Sequence, residues 1–261
     1  MNRKKWLARR GGLCSFVLVL ALAGCSKKEE APSEETPTAA PAAKATPIDQ
    51  ATAATVTGTI KLDGAAPKPR KIDMSQDPAC SGGMGMTETV VSDGGKLSNV
   101  FVYVKEGLGD RTFEAPAAKV TIDQHGCHYV PHVLGVMTGQ GVEILNSDPT
   151  THNIHPSPKN NKEWNESQAP KASPLEKSFA REEVLLPVKC NQHPWMKMYV
   201  GVVKSPFFSV SGKDGKFTIS GLPPGKYTIA AVHESLGEQT MQIEVAAKES
   251  KTADFSFKAA P

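Results

Sequence analysis

One short stretch, Val188-Lys189-Cys190-Asn191-Gln192-His193-Pro194-Trp195-Met196, constrains the fold more than any other part of the chain. Apolar runs flank it, Leu185 to Val188 before and Met198 to Val203 after, and both read as strands. A short loop between adjacent strands aims its side chains at one point. Here those side chains are a thiol, an imidazole and a thioether, spaced Cys-x2-His-x2-Met. Such a loop needs a stiff frame of strands. Twenty-two Gly and 20 Pro favour a turn-rich, all-β chain over a helical one. No segment of the folded region carries a sustained helical period.

Further strands follow from alternation of apolar and polar residues. Val56 to Leu62 alternates and then turns at Asp63-Gly64. Asn99 to Val104, Val120 to Asp123 and Val142 to Asn146 read likewise. Residues 156–178 are polar and proline-bearing, a long loop expected to hold a short helix around Asn161–Glu166. Near the C-terminus, Asp214-Gly215 sits between alternating runs and signals a hairpin.

The N-terminus is of another kind. Residues 1–24 hold five basic residues and no acid, and Leu13 to Ala23 is an apolar run too short to span a bilayer. The run ends Leu22-Ala23-Gly24-Cys25, which resembles the bacterial lipobox. That resemblance implies a lipoprotein signal peptide over 1–24 and a lipidated Cys25 as membrane anchor. By the same resemblance, Ser26, a non-acidic residue after the Cys, implies the outer membrane where the cell has one, with the protein facing the periplasm. The rest of 25–54 is Ala, Pro, Thr, Glu and Lys with almost no large apolar side chain, so it reads as a disordered tether. Without residues 1–24 the chain has 25 Lys and Arg against 27 Asp and Glu. No basic surplus remains to bind nucleic acid.

The ligand chemistry of the central loop suits copper: soft sulfur for Cu(I), imidazole for both oxidation states, and a weak thioether to tune the potential. A second imidazole must come from elsewhere, and Asn146…His152-Asn153-Ile154-His155 supplies it. Together the two stretches resemble the cupredoxins, most closely amicyanin, over roughly residues 118–204. The resemblance implies a Greek-key β-sandwich holding one type 1 copper ion. His152, Cys190, His193 and Met196 would be its ligands, and Asn153 would hydrogen-bond across to the Cys loop. Met198 offers the plastocyanin spacing as a competing axial sulfur, and Met196 is preferred because Pro-Trp-Met matches the shorter loop. His155, three residues past His152, points to the other face of a strand and reads as a surface or supporting residue.

Residues flanking this region resemble another family. Gly-Lys-Phe-Thr-Ile-x2-Leu-Pro-Pro-Gly-Lys-Tyr-Thr-Ile, from Gly215 to Ile229, is similar to carboxypeptidase regulatory-like domains, small prealbumin-like β-sandwiches. Residues 55–117 and 205–261 would supply its strands, either around an inserted copper domain or beside one sharing an edge. Two cysteines remain in an oxidising compartment, and a Cys80–Cys127 disulfide is the preferred reading. A second metal site of Cys127, His128 and His132 is the weaker one. Met84 and Met86 read as part of a flexible loop, and His233 as a surface residue.

These readings converge on a one-electron carrier whose protein redox partner docks near His193 and Trp195. The alternative is an envelope lipoprotein for copper binding, delivery, or protein or glycan contact. An enzyme is not expected, since copper oxidases and nitrite reductases need a second copper site and the sequence has one Cys-x2-His-x2-Met.

Overall fold

A computed structural model describes residues 45–82 and 85–259. The segment expected to be a signal peptide, Cys25, most of the segment expected to be a tether, and Met84 lie outside the described residues. Four strands come first: β1 (Ala54–Asp63), β2 (Ser92–Asp93), β3 (Lys96–Leu97) and β4 (Phe101–Glu106). A middle group follows: β5 (Val120–His125), β6 (His128–Val130), β7 (Val133–Met137), β8 (Val142–Asn146), β9 (His152–Pro156), β10 (Glu166–Gln168), β11 (Leu175–Lys177), β12 (Glu183–Lys189) and β13 (Lys197–Val203). The last are β14 (Phe208–Val210), β15 (Lys216–Leu222), β16 (Gly225–His233), β17 (Gly237–Val245), β18 (Ser250–Thr252) and β19 (Phe255–Lys258). The protein is all-β, with no helix among the described residues.

The strands form two sandwiches. The middle group makes one sheet ordered β10-β9-β12-β13-β7 and another ordered β11-β8-β5-β6. Ile122, Ile144, Ile154, Leu186, Val188 and Val200 close a core between them. The flanking strands make the second pair of sheets, β15-β1-β3-β2 with β18 and β19 also on β1, and β14-β4-β16-β17. Their core is separate, built on Val56, Ile60, Val102, Ile229, Phe217 and Phe257. Alternation explains it: β1 buries every second residue from Ala54 to Leu62. Full burial of a side chain such as Ile60 contributes roughly 1.5–3 kcal/mol.

The sandwiches meet on two glycines. Gly135 in β7 and Gly201 in β13 are register partners. A Cβ on Gly201 would stand 2.5 Å from the Phe101 ring, and one on Gly135 2.5 Å from Phe208. The two rings therefore rest against bare backbone, and Tyr103, Val133 and Val203 complete the joint.

Three expectations change. Residues 161–165 form no helix; the 156–178 segment instead adds β10 and β11 to sheet edges. Gln168 drives this, because its buried amide donates to the carbonyls of Ile144 and Ser173 and pins the segment along β8. Asp214-Gly215 does turn the chain, with Gly215 at φ 70. Yet β14 pairs with β4 and β15 with β1, so the turn carries the chain from one sheet to the other. His233 is buried, 2% exposed, with its Nδ1 accepting from the Ser235 backbone.

The loop around Cys80 lies where the expected Cys80–Cys127 disulfide requires. Met74 and Cys80 pack into the core of the middle sandwich. Cys80 is disulfide-bonded to Cys127, at the turn from β5 to β6.

Candidate metal centre

Register sets up the centre. In the β12–β13 ladder Val188 pairs with Met198 and Lys189 with Lys197, leaving 190–196 as the closing loop. Two backbone bonds tighten it, Cys190 N to Met196 O at 3.2 Å and Met196 N to His193 O at 2.9 Å. From the neighbouring strand end, Asn146 organises the approach to His152. Its amide donates to Thr150 O and Gln168 O at 2.9 Å each, and its oxygen accepts from Asp148 N at 3.1 Å. The chain is thus folded back so that His152 opens β9 facing the Cys loop.

Three side chains converge there. One ligand atom from each of His152, Cys190 and His193 lies within 4.8 Å of the others. The Nδ1 atoms of the two histidines are 2.8 Å apart, and Cys190 Sγ is 3.8 Å from His193 Nδ1. All three residues are buried. Met196 and Met198 are both fully buried in the same core as Cys190. Asn153 reaches the sulfur through its backbone, N to Cys190 Sγ at 3.3 Å, while its side-chain amide donates to Asn165.

The outer nitrogen of each histidine is capped by a carboxylate. His152 Nε2 lies 2.9 Å from Asp148 Oδ2, and His193 Nε2 lies 3.1 Å from Asp77 Oδ2. A carboxylate accepts, so each Nε2 donates outward, and the two Nδ1 atoms face each other across 2.8 Å, a separation that needs a proton or a metal ion between their lone pairs. Asp148 is held by the backbone N–H groups of Gly126 and Cys127 at 2.7 and 2.8 Å. Asp77 accepts from the Thr150 hydroxyl at 2.7 Å, which above all keeps its carboxyl below the usual range. Burial pushes the His152 imidazole below its ordinary value, and Asp148 pulls the other way. The direction leaves His152 neutral, the form that binds a metal. Burial also pushes the Tyr129 hydroxyl upward, Cys190 adding to it, and that hydroxyl donates to Asn153 O.

The donor set is thus a sulfur and two imidazole lone pairs pointed at one place. A soft or borderline ion fits it; a hard oxygen-seeking ion does not.

Around this set the remaining candidates sort out. Cys127 is taken by the disulfide, so it cannot join His128 and His132 on a metal. His155 points away from the centre, bonding Asn191 and Glu163. Trp195 is half-buried; its ring lies 5.1 Å from that of His193, and its Nε1 donates to Cys127 O. His193 itself is only 4% exposed, because Asp77 and its loop cover it. Sequence reasoning missed both carboxylates. Asp148 stood inside the recognised stretch, four residues before His152, and that spacing was a usable signal. Asp77 is 116 residues from His193 and left none.

No protein-family model and no curated protein matches this chain. Among solved structures, a purple cupredoxin from Nitrosopumilus maritimus is 24% identical, with a TM-score of 0.28, covering 32% of this chain and 98% of that one. Amicyanin from Paracoccus versutus is 18% identical, with a TM-score of 0.30, covering 39% of this chain and 96% of that one. A Cu-containing nitrite reductase from Thermus scotoductus is 20% identical, with a TM-score of 0.32. That match covers 37% of this chain and only 24% of the reductase.

Proposed function

We propose that this chain is a type 1 copper protein of cupredoxin kind acting as a one-electron carrier. One observation carries the reading: two carboxylate-capped imidazoles converge with the Cys190 sulfur at a buried point of the sandwich. His152, Cys190 and His193 would hold the ion, with Met196 as a further, thioether ligand. When bound, copper supplies a one-electron couple between its two oxidation states. The chain's own residues supply rigidity. Asp148 and Asp77 fix the tautomer and tilt of each ring, and the Asn153 N–H steadies the sulfur. Burial excludes water from the ligands.

The wider setting belongs to the same proposal. Cys25 would carry lipid and tether the sandwiches to the outer membrane, facing the periplasm. A protein redox partner would dock beside His193 at Trp195, whose half-buried ring leads from the surface to the imidazole.

The test is spectroscopic. The full chain in detergent receives one equivalent of Cu(II), and visible and EPR spectra are recorded. An intense blue band with narrow copper hyperfine splitting is expected, and Cys190→Ser should abolish it. A pale, ordinary Cu(II) spectrum would reject the reading.

A further inference from the structure

The Cys80–Cys127 disulfide lies against both imidazoles of the centre. Cys80 Sγ, a carboxylate oxygen of Asp77 and a ring nitrogen of His193 all stand within 4.8 Å of one another. Cys127 Sγ stands in the same relation to Asp148 and His152. The bond between the two sulfurs therefore spans the two capped rings, and both half-cystines are buried.

Each half of the disulfide also seats one cap. On one side Cys127 N donates to Asp148 Oδ2 at 2.8 Å, and the same oxygen meets His152 Nε2 at 2.9 Å. On the other side Asp77 turns back onto the segment that ends in Cys80. Its carbonyl accepts from Cys80 N at 2.9 Å, and its Oδ1 accepts from Ala79 N at 2.9 Å. That turn presents Oδ2 to His193 Nε2 at 3.1 Å. The Thr150 hydroxyl and the burial of Met74 also hold the turn to the middle sandwich. Such contacts are exchanged for water when a loop lifts, whereas a covalent bond is not. The metal loop leans on the same bridge, since Trp195 Nε1 donates to Cys127 O at 3.1 Å.

We propose, on the copper reading above, that this disulfide is the latch of the metal centre. It positions Asp77 and Asp148 on the two imidazoles, so the centre holds its ion tightly only after Cys80 and Cys127 have been oxidised. Thiol–disulfide exchange supplies that step. The disulfide of an exchange protein breaks, the Cys80–Cys127 bond forms, and two electrons and two protons pass to the exchange protein as two thiols. With the latch open, the turn carrying Asp77 lifts, and His193 loses its cap and its cover. An imidazole without its outer partner is free to change tautomer and tilt, which weakens its hold on a metal.

Two alterations separate a latch from a bond that merely stabilises the fold. The pair Cys80→Ser and Cys127→Ser removes the bond and keeps the carboxylates; Asp77→Ala removes one carboxylate and keeps the bond. Proton NMR of the metal-free full chain in detergent reads the cap directly. The His193 Nε2 hydrogen, bonded to Asp77, should give a low-field signal that exchanges slowly with water, and both alterations should abolish it. Circular dichroism checks that the serine pair is folded. Competition with a copper chelator should then show affinity about 10–100-fold lower in either alteration. Combining Asp77→Ala with the serine pair should lower it no further than the serine pair does, because the bond acts through the caps. Absence of the signal in the unaltered chain, its survival in a folded serine pair, additive losses of affinity, or failure of the serine pair to fold would each overturn the latch. The signal is read without copper. A chain that loses it with the disulfide but takes no copper would reject the copper reading and leave the latch on the two imidazoles standing.

Discussion

Asp148 is the residue whose removal says most about the centre. Its carboxylate accepts from Gly126 N, Cys127 N and His152 Nε2, at 2.7, 2.8 and 2.9 Å. In Asp148→Ala the three donors lose their partner together. Gly126 is exposed and recovers a bond to water. Cys127 and His152 are 1% and 0% exposed and cannot. Each orphaned buried donor costs about 1–3 kcal/mol, so the metal-free variant should lose about 2–6 kcal/mol of stability. Asp148→Asn behaves differently. Its oxygen can take the Oδ2 place, keeping Cys127 and His152, while its amide meets only the hydratable Gly126 N–H. A loss of about 1 kcal/mol is expected there. Freed of its cap, the His152 ring can exchange tautomer or tilt, so Asp148→Ala should also lower copper affinity about 10–100-fold. Urea unfolding of the metal-free proteins reads the first effect, and a competition titration with a copper chelator reads the second. Equal stability for the alanine and asparagine variants, or unchanged copper affinity in Asp148→Ala, would refute the reasoning.

Other consequences follow from the same geometry. Met196→Ala should retain copper and shift its reduction potential in voltammetry, whereas Met198→Ala should leave the potential in place; the reverse result would transfer the axial role to Met198. Glu183 is buried, which works to raise its carboxyl, but the Lys159 backbone N–H, the Asn161 side-chain amide and the backbone N–H groups of Asn160 and Asn161 outweigh burial and hold it below the ordinary glutamate range. Its contribution is therefore complete above the ordinary glutamate value and fades as the pH falls through the lower folded value. Glu183→Gln should remove part of that acid sensitivity from a stability profile. Gly201→Ala should destabilise by about 1–3 kcal/mol in chemical unfolding, because the new methyl meets the Phe101 ring at 2.5 Å.

Much of this protein is legible one residue at a time. Strands such as Val56 to Leu62 and Val142 to Asn146 announce themselves by alternation, because each must bury one face. The Cys190–Met196 loop and His152 are legible for a related reason. A ligand set imposes residue types and spacings that few other demands impose, and neither depends on what packs nearby. The pairing of Cys80 with Cys127 was within reach by elimination. The Asp214-Gly215 turn was legible as a turn, but its flanking strands went to different sheets, since pairing is settled by the neighbours each strand meets.

What the tertiary structure decided is everything that depends on residues far apart in the chain. Asp77 reaches His193, Glu88 and Glu234 reach His132, and Phe101 seats on Gly201, each across scores of residues with no local pattern to mark it. Carboxylates are common on surfaces, so an acid acquires meaning only when a particular imidazole is placed against it. The same holds for His233 and for residues 161–165, where local polarity argued for surface or helix and packing overruled it. Spacing along the chain determines which ligand types are present. Folding determines which nitrogen of each imidazole is capped, and so which lone pair is left to bind.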